Sequence, residues 1–453
     1  MGLMRTVSGV RGIVDRDLDA ATVYRHARAL ADLLPPGSIL LARDSRPHGQ
    51  RLMAAAGQAL QDARRQITVA GLIPTPTAQF LVTRLRLAGA IVLTASHNPV
   101  EYNGLKFIGS DGLFLGAERC DILFGRADLV EPPEVISGEK IPGRGLADAP
   151  GLHILSVLDL GCIDMEAILR HRCRVVVDAV NGAASFALPT LLEALGCEVV
   201  PIHTTPDGTF PRGAEPVAGH LADLSAAVLE QGAHLGMATD PDGDRLALVD
   251  ESGQPLGEEY TQVIAIDGFL RRTGSKQPIV TNLSSSQLLD RVAEAHGVKL
   301  HRSAVGEINV VNMMRARGAE IGGEGNGGVI LAESHLGRDS LVAAALVLDR
   351  LSQERELLSE VVAAWPNYVM LKEKFPLGDS DLTELLARLE SEFNGAEKDS
   401  TDGLKWIWKD RWLHVRASNT EPVVRVIAEA KSESAARKLV SAVKKSAAAV
   451  GAA

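Results

Sequence analysis

A chain of 453 residues is more than one ordinary hydrophobic core fills, so three or four domains are expected. Apolar residues make up 46% and charged residues 23%, the balance of a soluble globular protein, and no apolar run approaches the length of a membrane span. The net charge of −10 argues against a general nucleic-acid binder, although local basic pockets stay compatible with it.

Cys120, Cys162, Cys173 and Cys197 show neither metal-ligand nor redox spacing, so reduced, buried thiols in a cytoplasmic protein are expected. The first residues lack the apolar core of a secretory signal. Aromatics are only 4%, which implies a core of Ala, Leu, Val and Ile.

The chain opens on Thr6-Val7-Ser8-Gly9-Val10-Arg11-Gly12-Ile13, where two glycines flank an arginine at an expected strand-to-loop transition. A glycine-rich turn with a surface arginine accounts for this; the other reading is a phosphate contact, since glycine admits close backbone approach and arginine offers a fork of donors. Strands are predicted over 38–42, 67–72 and 90–93, with helices over 50–65 and 74–85 between them. The third strand delivers Thr94-Ala95-Ser96-His97-Asn98-Pro99, followed by Asn103-Gly104-Leu105-Lys106. The residue before proline is pushed out of the helical region, so Ser96 is expected on a tight loop at a strand's C-terminal end, able to carry a covalent group, with His97 and Lys106 close by.

The same order recurs twice. Strands over 174–178, 197–201 and 234–238, with helices over 186–195 and 220–231, lead to Asp240-Pro241-Asp242-Gly243-Asp244-Arg245. Strands over 277–281, 299–303 and 319–322, with helices over 285–296 and 306–317, lead to Gly323-Glu324-Gly325-Asn326-Gly327-Gly328. Open α/β sheets bind ligands outside the carboxyl ends of their strands, so three such loops facing one cleft would form one composite site. A Pro/Gly-rich stretch over 131–151 and a turn over 251–255 separate the units, and after Trp365-Pro366 the pattern becomes α+β. There, strands over 369–375, 405–408, 412–416 and 423–428 accompany helices over 381–393 and 432–449. The fold class is therefore α/β, with three repeated α/β domains of mixed sheets and a C-terminal α+β domain around a central cleft. The divisions are 1–150, 151–252, 253–366 and 367–453.

Each loop has its own chemistry. Asp240, Asp242 and Asp244 place three carboxylates on one side of an extended loop, a hard oxygen donor set suited to Mg²⁺. Mutual repulsion makes that arrangement costly without a cation. An EF-hand is excluded because Arg245 stands where that loop needs glycine and a strand follows in place of a helix. The glycine-rich third loop is neither a dinucleotide fingerprint nor a P-loop. It is equally a flexible turn or a carboxylate and an amide, Glu324 and Asn326, set to pair with sugar hydroxyls. Arg416-Ala417-Ser418-Asn419-Thr420-Glu421-Pro422 with Arg425 is a polar hairpin or an anion site for phosphate.

Together these four loops, in this order and spacing, resemble the signature loops of the α-D-phosphohexomutases over nearly the whole chain. The resemblance implies that Ser96 is a phosphoserine in the active enzyme and that Asp240, Asp242, Asp244 and a phosphoserine oxygen hold one Mg²⁺. It implies that Glu324 and Asn326 read sugar hydroxyls and that Arg416, Ser418, Asn419, Thr420 and Arg425 grip the distal phosphate. Arg11, Lys106 and Arg245 would stand near the transferring phosphoryl group, with Lys106 the candidate for moving the hydroxyl proton and His97 second. The implied reaction interconverts hexose 1- and 6-phosphates through a hexose 1,6-bisphosphate, with a hexose or hexosamine phosphate as substrate and neither nucleic acid nor membrane as partner. A homo-oligomer is compatible with the sequence.

Many members have serine at the position of Asn326, and many of those have histidine at that of Gly328. The form here looks like an archaeal-type branch in which glucosamine, mannose and glucose phosphates are hard to separate, and Glu307 sits where other branches vary. Outside the mutases, the alternatives are a metal-dependent sugar-phosphate phosphatase with a phosphoserine intermediate and a non-catalytic sugar-phosphate binder. A serine hydrolase is disfavoured, since no Gly-x-Ser-x-Gly elbow surrounds Ser96.

Overall fold

The computed structural model describes residues 2–136, 140–376, 382–418 and 423–449. The described residues form four sheets, three of them mixed and built on one plan.

The first sheet contains β1 (Met4–Thr6), β2 (Gly9–Ile13), β3 (Ile39–Arg43), β4 (Ile67–Leu72), β5 (Gly89–Leu93), β6 (Tyr102–Ile108) and β7 (Arg144–Gly145), in the order β1-β2-β6-β5-β3-β4-β7. The second has β8 (Arg174–Asp178), β9 (Glu198–Ile202), β10 (Leu235–Thr239) and β11 (Leu246–Asp250), in the order β11-β10-β8-β9. The third has β12 (Ile279–Asn282), β13 (Leu300–Ser303), β14 (Ile321–Glu324) and β15 (Gly328–Leu331), in the order β13-β12-β14-β15.

One unit is common to all three: three parallel strands, the last of which turns into an antiparallel partner. The turning pairs are β5 with β6, β10 with β11 and β14 with β15. Each functional loop is the connection inside that turning pair. The repeat therefore places Ser96, the three aspartates and Glu324 at equivalent corners of three sheets. The fourth sheet is wholly antiparallel: β16 (Val369–Pro376), β17 (Glu397–Asp399), β18 (Leu404–Trp408), β19 (Arg411–Ala417) and β20 (Val423–Ala430), in the order β16-β20-β19-β18-β17.

Helices cover the sheets. The first unit has α1 (Ala20–Leu33), α2 (Gly49–Asp62), α3 (Thr75–Arg84) and α4 (Ala117–Ala127). Asp19 caps α1, its carboxylate accepting from Thr22 N at 2.7 Å, which satisfies one of the orphan donors of a first turn. Between the Pro/Gly-rich junction and β8, where no element was expected, the chain holds two helices, α5 (Ala149–Leu158) and α6 (Met165–His171), the latter capped by Asp164.

The second unit has α7 (Ala187–Ala194) and α8 (Ala222–Gln231), and the third α9 (Glu259–Thr273), α10 (Leu288–His296), α11 (Glu307–Arg317), α12 (Ser340–Glu354) and α13 (Leu358–Ala363). The last unit has α14 (Leu382–Glu392) and α15 (Glu433–Ala449).

The opening segment departs from expectation. Arg11 sits within β2, in a hairpin whose register pairs it with Met4 on one side and Gly104 of β6 on the other. Helices α9 and α12 are buried almost all round, which leaves no amphipathic stripe to read. They belong to one apolar core that runs from α5–α7 through the second and third sheets. The first and last units have cores of their own. All four cysteines are free and buried, and among the described residues no helix is long and apolar enough to cross a membrane.

Candidate active site

Ser96 is buried, 2% exposed, with φ 49°. A non-glycine residue in the left-handed region persists only when its surroundings over-determine it, and here they do. Ser96 N donates to Thr94 Oγ1 at 2.9 Å, and Thr94 Oγ1 donates to Asp44 Oδ2 at 2.6 Å. Asp44 also holds Arg46 through its Nε at 3.0 Å.

The Arg46 guanidinium then ties down the loop backbone. Its Nη2 donates to Ser96 O and Asn98 O, each at 2.7 Å, and its Nη1 to Pro99 O at 2.5 Å and Tyr102 O at 2.9 Å. Arg46 and Asp44 are fully buried, so breaking either would leave an uncompensated charge. Sequence reading placed this pair after a strand without giving it a role.

The three aspartates meet Ser96 from the opposite sheet. Asp240 Oδ2 accepts from Ser96 Oγ at 3.1 Å, and Asp240 Oδ1 accepts from the backbone N of Asp244 and Arg245 at 3.1 and 3.3 Å. Asp242 Oδ2 accepts from Thr75 Oγ1 and Lys106 Nζ, both at 2.6 Å. Asp244 Oδ2 accepts from Lys106 Nζ at 3.2 Å and Arg338 Nη2 at 2.7 Å.

All three carboxylates are fully buried, and their ligand-type oxygens lie within 4.8 Å of one another. Burial, then repulsion from Asp244 and Asp242, pushes the Asp240 carboxyl well up. Burial, the largest single effect, pushes the other two the same way, but Lys106 together with the Thr75 hydroxyl at Asp242, and Arg338, Lys106 and Arg245 together at Asp244, outweigh it, so both end below the usual carboxylate range. Asp242 Oδ1 and Asp244 Oδ1 are buried without a hydrogen-bond partner among the described residues. A desolvated carboxylate oxygen left so is costly; the donor set and its unmet oxygens fit a hard divalent cation.

Lys106 and His97 flank Ser96 differently. Burial would lower the Lys106 ammonium, but Asp242 and Asp244 raise it above its ordinary value; in this arrangement it is a cation. His97 is pushed well down, first by burial and then by Arg245, Arg11 and Arg425, so the ring is neutral. Its Nδ1 lies 3.0 Å from Arg245 Nη2 and 3.5 Å from Ser96 Oγ. Arg245 is in turn held by Glu215 at 2.9 Å. Arg11 Nη1 donates to Asn98 Oδ1 at 2.9 Å, and burial first of all lowers its pKa to about 10, which leaves it charged at neutral pH.

The third loop contributes Glu324, 3% exposed. Its Oε1 accepts from Asn282 Nδ2 at 2.8 Å and Gly306 N at 2.9 Å, and its Oε2 from Arg338 Nη1 at 2.8 Å. Asn326 Oδ1 is buried without a partner among the described residues. The fourth unit contributes Arg416, whose Nε donates to Asp402 Oδ2 at 2.9 Å; the same oxygen accepts from Val305 N at 2.9 Å, which docks the clamp onto the third unit. Arg416 Nη2 is buried and has no partner among the described residues. Arg425 Nε donates to Ser418 Oγ at 3.1 Å. Asn419 and Thr420 lie outside the described residues.

A pocket of about 170 Å³ joins these parts. Ser96, Arg11, His97 and Lys106 of the first unit line it, as do Arg245 of the second, Glu324, Asn326, Glu307 and Arg338 of the third, and Arg416, Ser418 and Arg425 of the fourth. The aspartates lie directly behind it, each touching Ser96, Lys106, Arg245 or Arg338 of its lining. Ten of the predicted site residues thus line one pocket and three sit at its back wall. Arg46, Asp44, Glu215 and Arg338 were not foreseen, because each acts on a residue distant in sequence. The largely cationic lining surrounds one serine, and the nearby carboxylates suit a cation; the arrangement can bring an anionic, hydroxyl-bearing molecule to Ser96.

Comparison with known proteins follows the same four-part division. The four domain models described as phosphoglucomutase/phosphomannomutase, alpha/beta/alpha domains I, II and III and C-terminal domain, match residues 3–126, 153–253, 257–368 and 371–446. The chain is 34% identical to a phosphoglucomutase/phosphomannomutase of Thermococcus kodakarensis, covering 96% of each. It is 33% identical to a probable phosphoglucosamine mutase of Methanopyrus kandleri, covering 97% of this chain and 96% of the relative. A crystal structure of a phosphoglucomutase/phosphomannomutase family protein from Burkholderia thailandensis superposes with a TM-score of 0.84 at 26% identity, covering 98% of this chain and 97% of that one.

Proposed function

The chain belongs to the phosphoglucomutase/phosphomannomutase family, and from that premise we propose that Ser96 is the phosphoryl carrier of a mutase interconverting hexose 1-phosphates and hexose 6-phosphates. The observation that carries this reading is Ser96 Oγ, 3.1 Å from Asp240 Oδ2, at the back of a pocket lined by all four units.

Each unit then has one task. Residues 1–150 present the carrier serine, 151–252 the metal loop, 253–366 the sugar loop and 367–453 the phosphate clamp. Asp240, Asp242 and Asp244 would hold Mg²⁺, with an oxygen of phosphorylated Ser96 as a further ligand. When bound, the ion supplies Lewis-acid stabilisation of charge on the phosphoryl group.

In the forward half-reaction the P–O bond to Ser96 breaks as a P–O bond to the free sugar hydroxyl forms, and the proton that the hydroxyl gives up to the pocket is matched by one delivered to Ser96 Oγ, leaving a hexose 1,6-bisphosphate and a neutral serine. The bisphosphate reorients in the pocket and returns its other phosphoryl group to Ser96. Positioning and electrostatics supply most of the rate. Arg11, Lys106 and Arg245 surround Ser96 with cations against the charge of the transferring group. Glu324 and Asn326 accept from or donate to sugar hydroxyls that both orientations present. Arg416, Ser418 and Arg425, with Asn419 and Thr420 of the same loop, grip the phosphate that is not reacting.

The hydroxyl proton goes to a base in the pocket. Lys106 would serve in its neutral form, reached when its hold on the carboxylates is relaxed; His97, already neutral but spent on Arg245, is the weaker base. The substrate class is hexose or hexosamine phosphates, and glucosamine phosphate, mannose phosphate and glucose phosphate are the three to compare.

The test is direct. Intact mass of the purified protein should include a species heavier by one phosphoryl group, absent from Ser96→Ala. That variant should lose nearly all interconversion while still binding hexose phosphate. Near-normal turnover by Ser96→Ala, or release of free phosphate without the isomeric sugar phosphate, would overturn the reading.

A further inference from the structure

Arg338 lies outside the four predicted loops, at the end of the segment that follows β15, yet it joins three acidic residues of two units. Its Nη2 donates to Asp244 Oδ2 at 2.7 Å, its Nη1 to Glu324 Oε2 at 2.8 Å and its Nε to Glu307 Oε2 at 3.0 Å. Arg338 is 8% exposed and lines the pocket. Its planar fork of donors serves three carboxylates in three directions at once, each through a different nitrogen.

The path of that side chain explains a glycine. Gly328, the first residue of β15, is not among the glycines in the left-handed region, so its backbone gives no reason for it. A Cβ built there would stand 2.3 Å from Arg338 Cδ and 2.8 Å from Arg338 Cγ. Those atoms are mid-chain, and the head group beyond them is pinned by three carboxylates, so the arginine cannot swing aside without losing its partners.

We propose that Arg338 is a positioning residue that fixes the Glu324 carboxylate for sugar recognition and couples it to the metal loop, and that Gly328 is the space its side chain requires. The inference rests on Glu324 being the acceptor for sugar hydroxyls. A carboxylate has about four lone-pair sites, and Asn282, Gly306 N and Arg338 take three of them. The site left for a hydroxyl is therefore set by where Arg338 holds Oε2.

The experiment is a double-mutant cycle of Arg338→Ala and Gly328→Ala in the Ser96→Ala background, which binds but cannot transfer. The probe is whichever of glucose, mannose and glucosamine 1-phosphate the Ser96→Ala protein binds most tightly, and the readouts are its Kd by calorimetry and the melting temperature. Arg338→Ala is expected to raise Kd tenfold or more, and Gly328→Ala at least fivefold by displacing the arginine. Adding Gly328→Ala to Arg338→Ala should change Kd less than twofold, because the displaced group is already gone; such non-additivity is the mark of coupled neighbours.

Arg338→Lys, which passes Gly328 and keeps the charge but not the fork, should raise Kd at least threefold with the fold intact. Multiplying effects in the cycle would overturn the proposal, and so would a lower melting temperature with Kd within twofold of the parent for both Arg338 variants. Absence of interconversion in the wild-type protein would instead strike the functional reading, which the cycle, read from binding, does not assess.

Discussion

Two buried clusters in this protein look alike on paper and differ in kind. Asp240, Asp242 and Asp244 form one; His153, His335 and Asp339 form the other, and in each the ligand-type atoms lie within 4.8 Å. In the second cluster a single carboxylate is faced by two imidazoles: His153 Nε2 lies 2.9 Å and His335 Nε2 3.0 Å from Asp339 Oδ2. The other oxygen, Asp339 Oδ1, caps α12 by accepting from Leu341 N at 2.8 Å. Thr77 Oγ1 lies 2.9 Å from His153 Nδ1, and Phe80 stacks on the same ring.

This cluster therefore joins α3, α5 and the start of α12, with its carboxylate spent on both oxygens. The aspartate cluster concentrates three acidic groups behind the pocket and leaves two oxygens unmet. Proximity of ligand-type residues is common to both, and each holds buried atoms without a hydrogen-bond partner among the described residues, His335 Nδ1 in the second; surplus negative charge beside a reactive group belongs to one. We read the aspartates as the metal loop and the histidine cluster as a structural joint.

The sharpest way to break that contrast is substitution. Asp242→Asn should cost roughly 10²–10³-fold in kcat, the scale of a lost electrostatic contact at a reacting centre, read on protein whose melting transition shows it folded, since the change also takes a charged partner from Lys106. If turnover survives within a few-fold, the aspartates are not the metal loop. Next comes metal removal. Exhaustive dialysis against EDTA should abolish interconversion and Mg²⁺ should restore it, while elemental analysis of the untreated protein finds no zinc. A stoichiometric transition metal lost on His335→Ala would erase the distinction between the clusters.

A smaller effect is expected on stability from the joint. Asp339→Ala removes a helix cap and strands two buried imidazoles, so urea unfolding should show a loss of about 2–4 kcal/mol with kcat changed less than tenfold. The smallest effect is in pH. Burial alone would raise the Asp339 carboxyl, but His153 and His335 outweigh it and hold it below the usual carboxylate range. A depressed folded pKa favours the folded state above the unfolded value near 4 and is lost as pH falls through the folded value. The stability gap between wild type and Asp339→Asn should therefore shrink as pH is lowered from about 5 to about 3; a gap that widens would show that Asp339 is not held as the anion.

Much of the site was legible because its parts are local. Ser96 with Asn98-Pro99, the three alternating aspartates, and Arg416 with Ser418 are each short motifs at strand ends, where backbone chemistry and residue type suffice. The threefold recurrence of strand and helix patterns disclosed that their loops share a corner. Less local features escaped. Helices α9 and α12 carry apolar residues on every side, so periodicity does not mark them. Helices α5 and α6 were hidden by the prolines and glycines around them.

By itself, then, the sequence determined which loops come together around the pocket and that three sheets would present them alike, because both follow from residue type and short-range pattern. Only the tertiary structure decided how those loops are held. Arg46 bracing the left-handed turn at Ser96, Lys106 reaching Asp242 and Asp244, and Arg338 passing over Gly328 to join Glu324 and Asp244 are contacts between residues far apart in the chain or on different sheets. Their physical basis is that charge buried at close quarters must find partners, and which partners are within reach is a property of the packed fold.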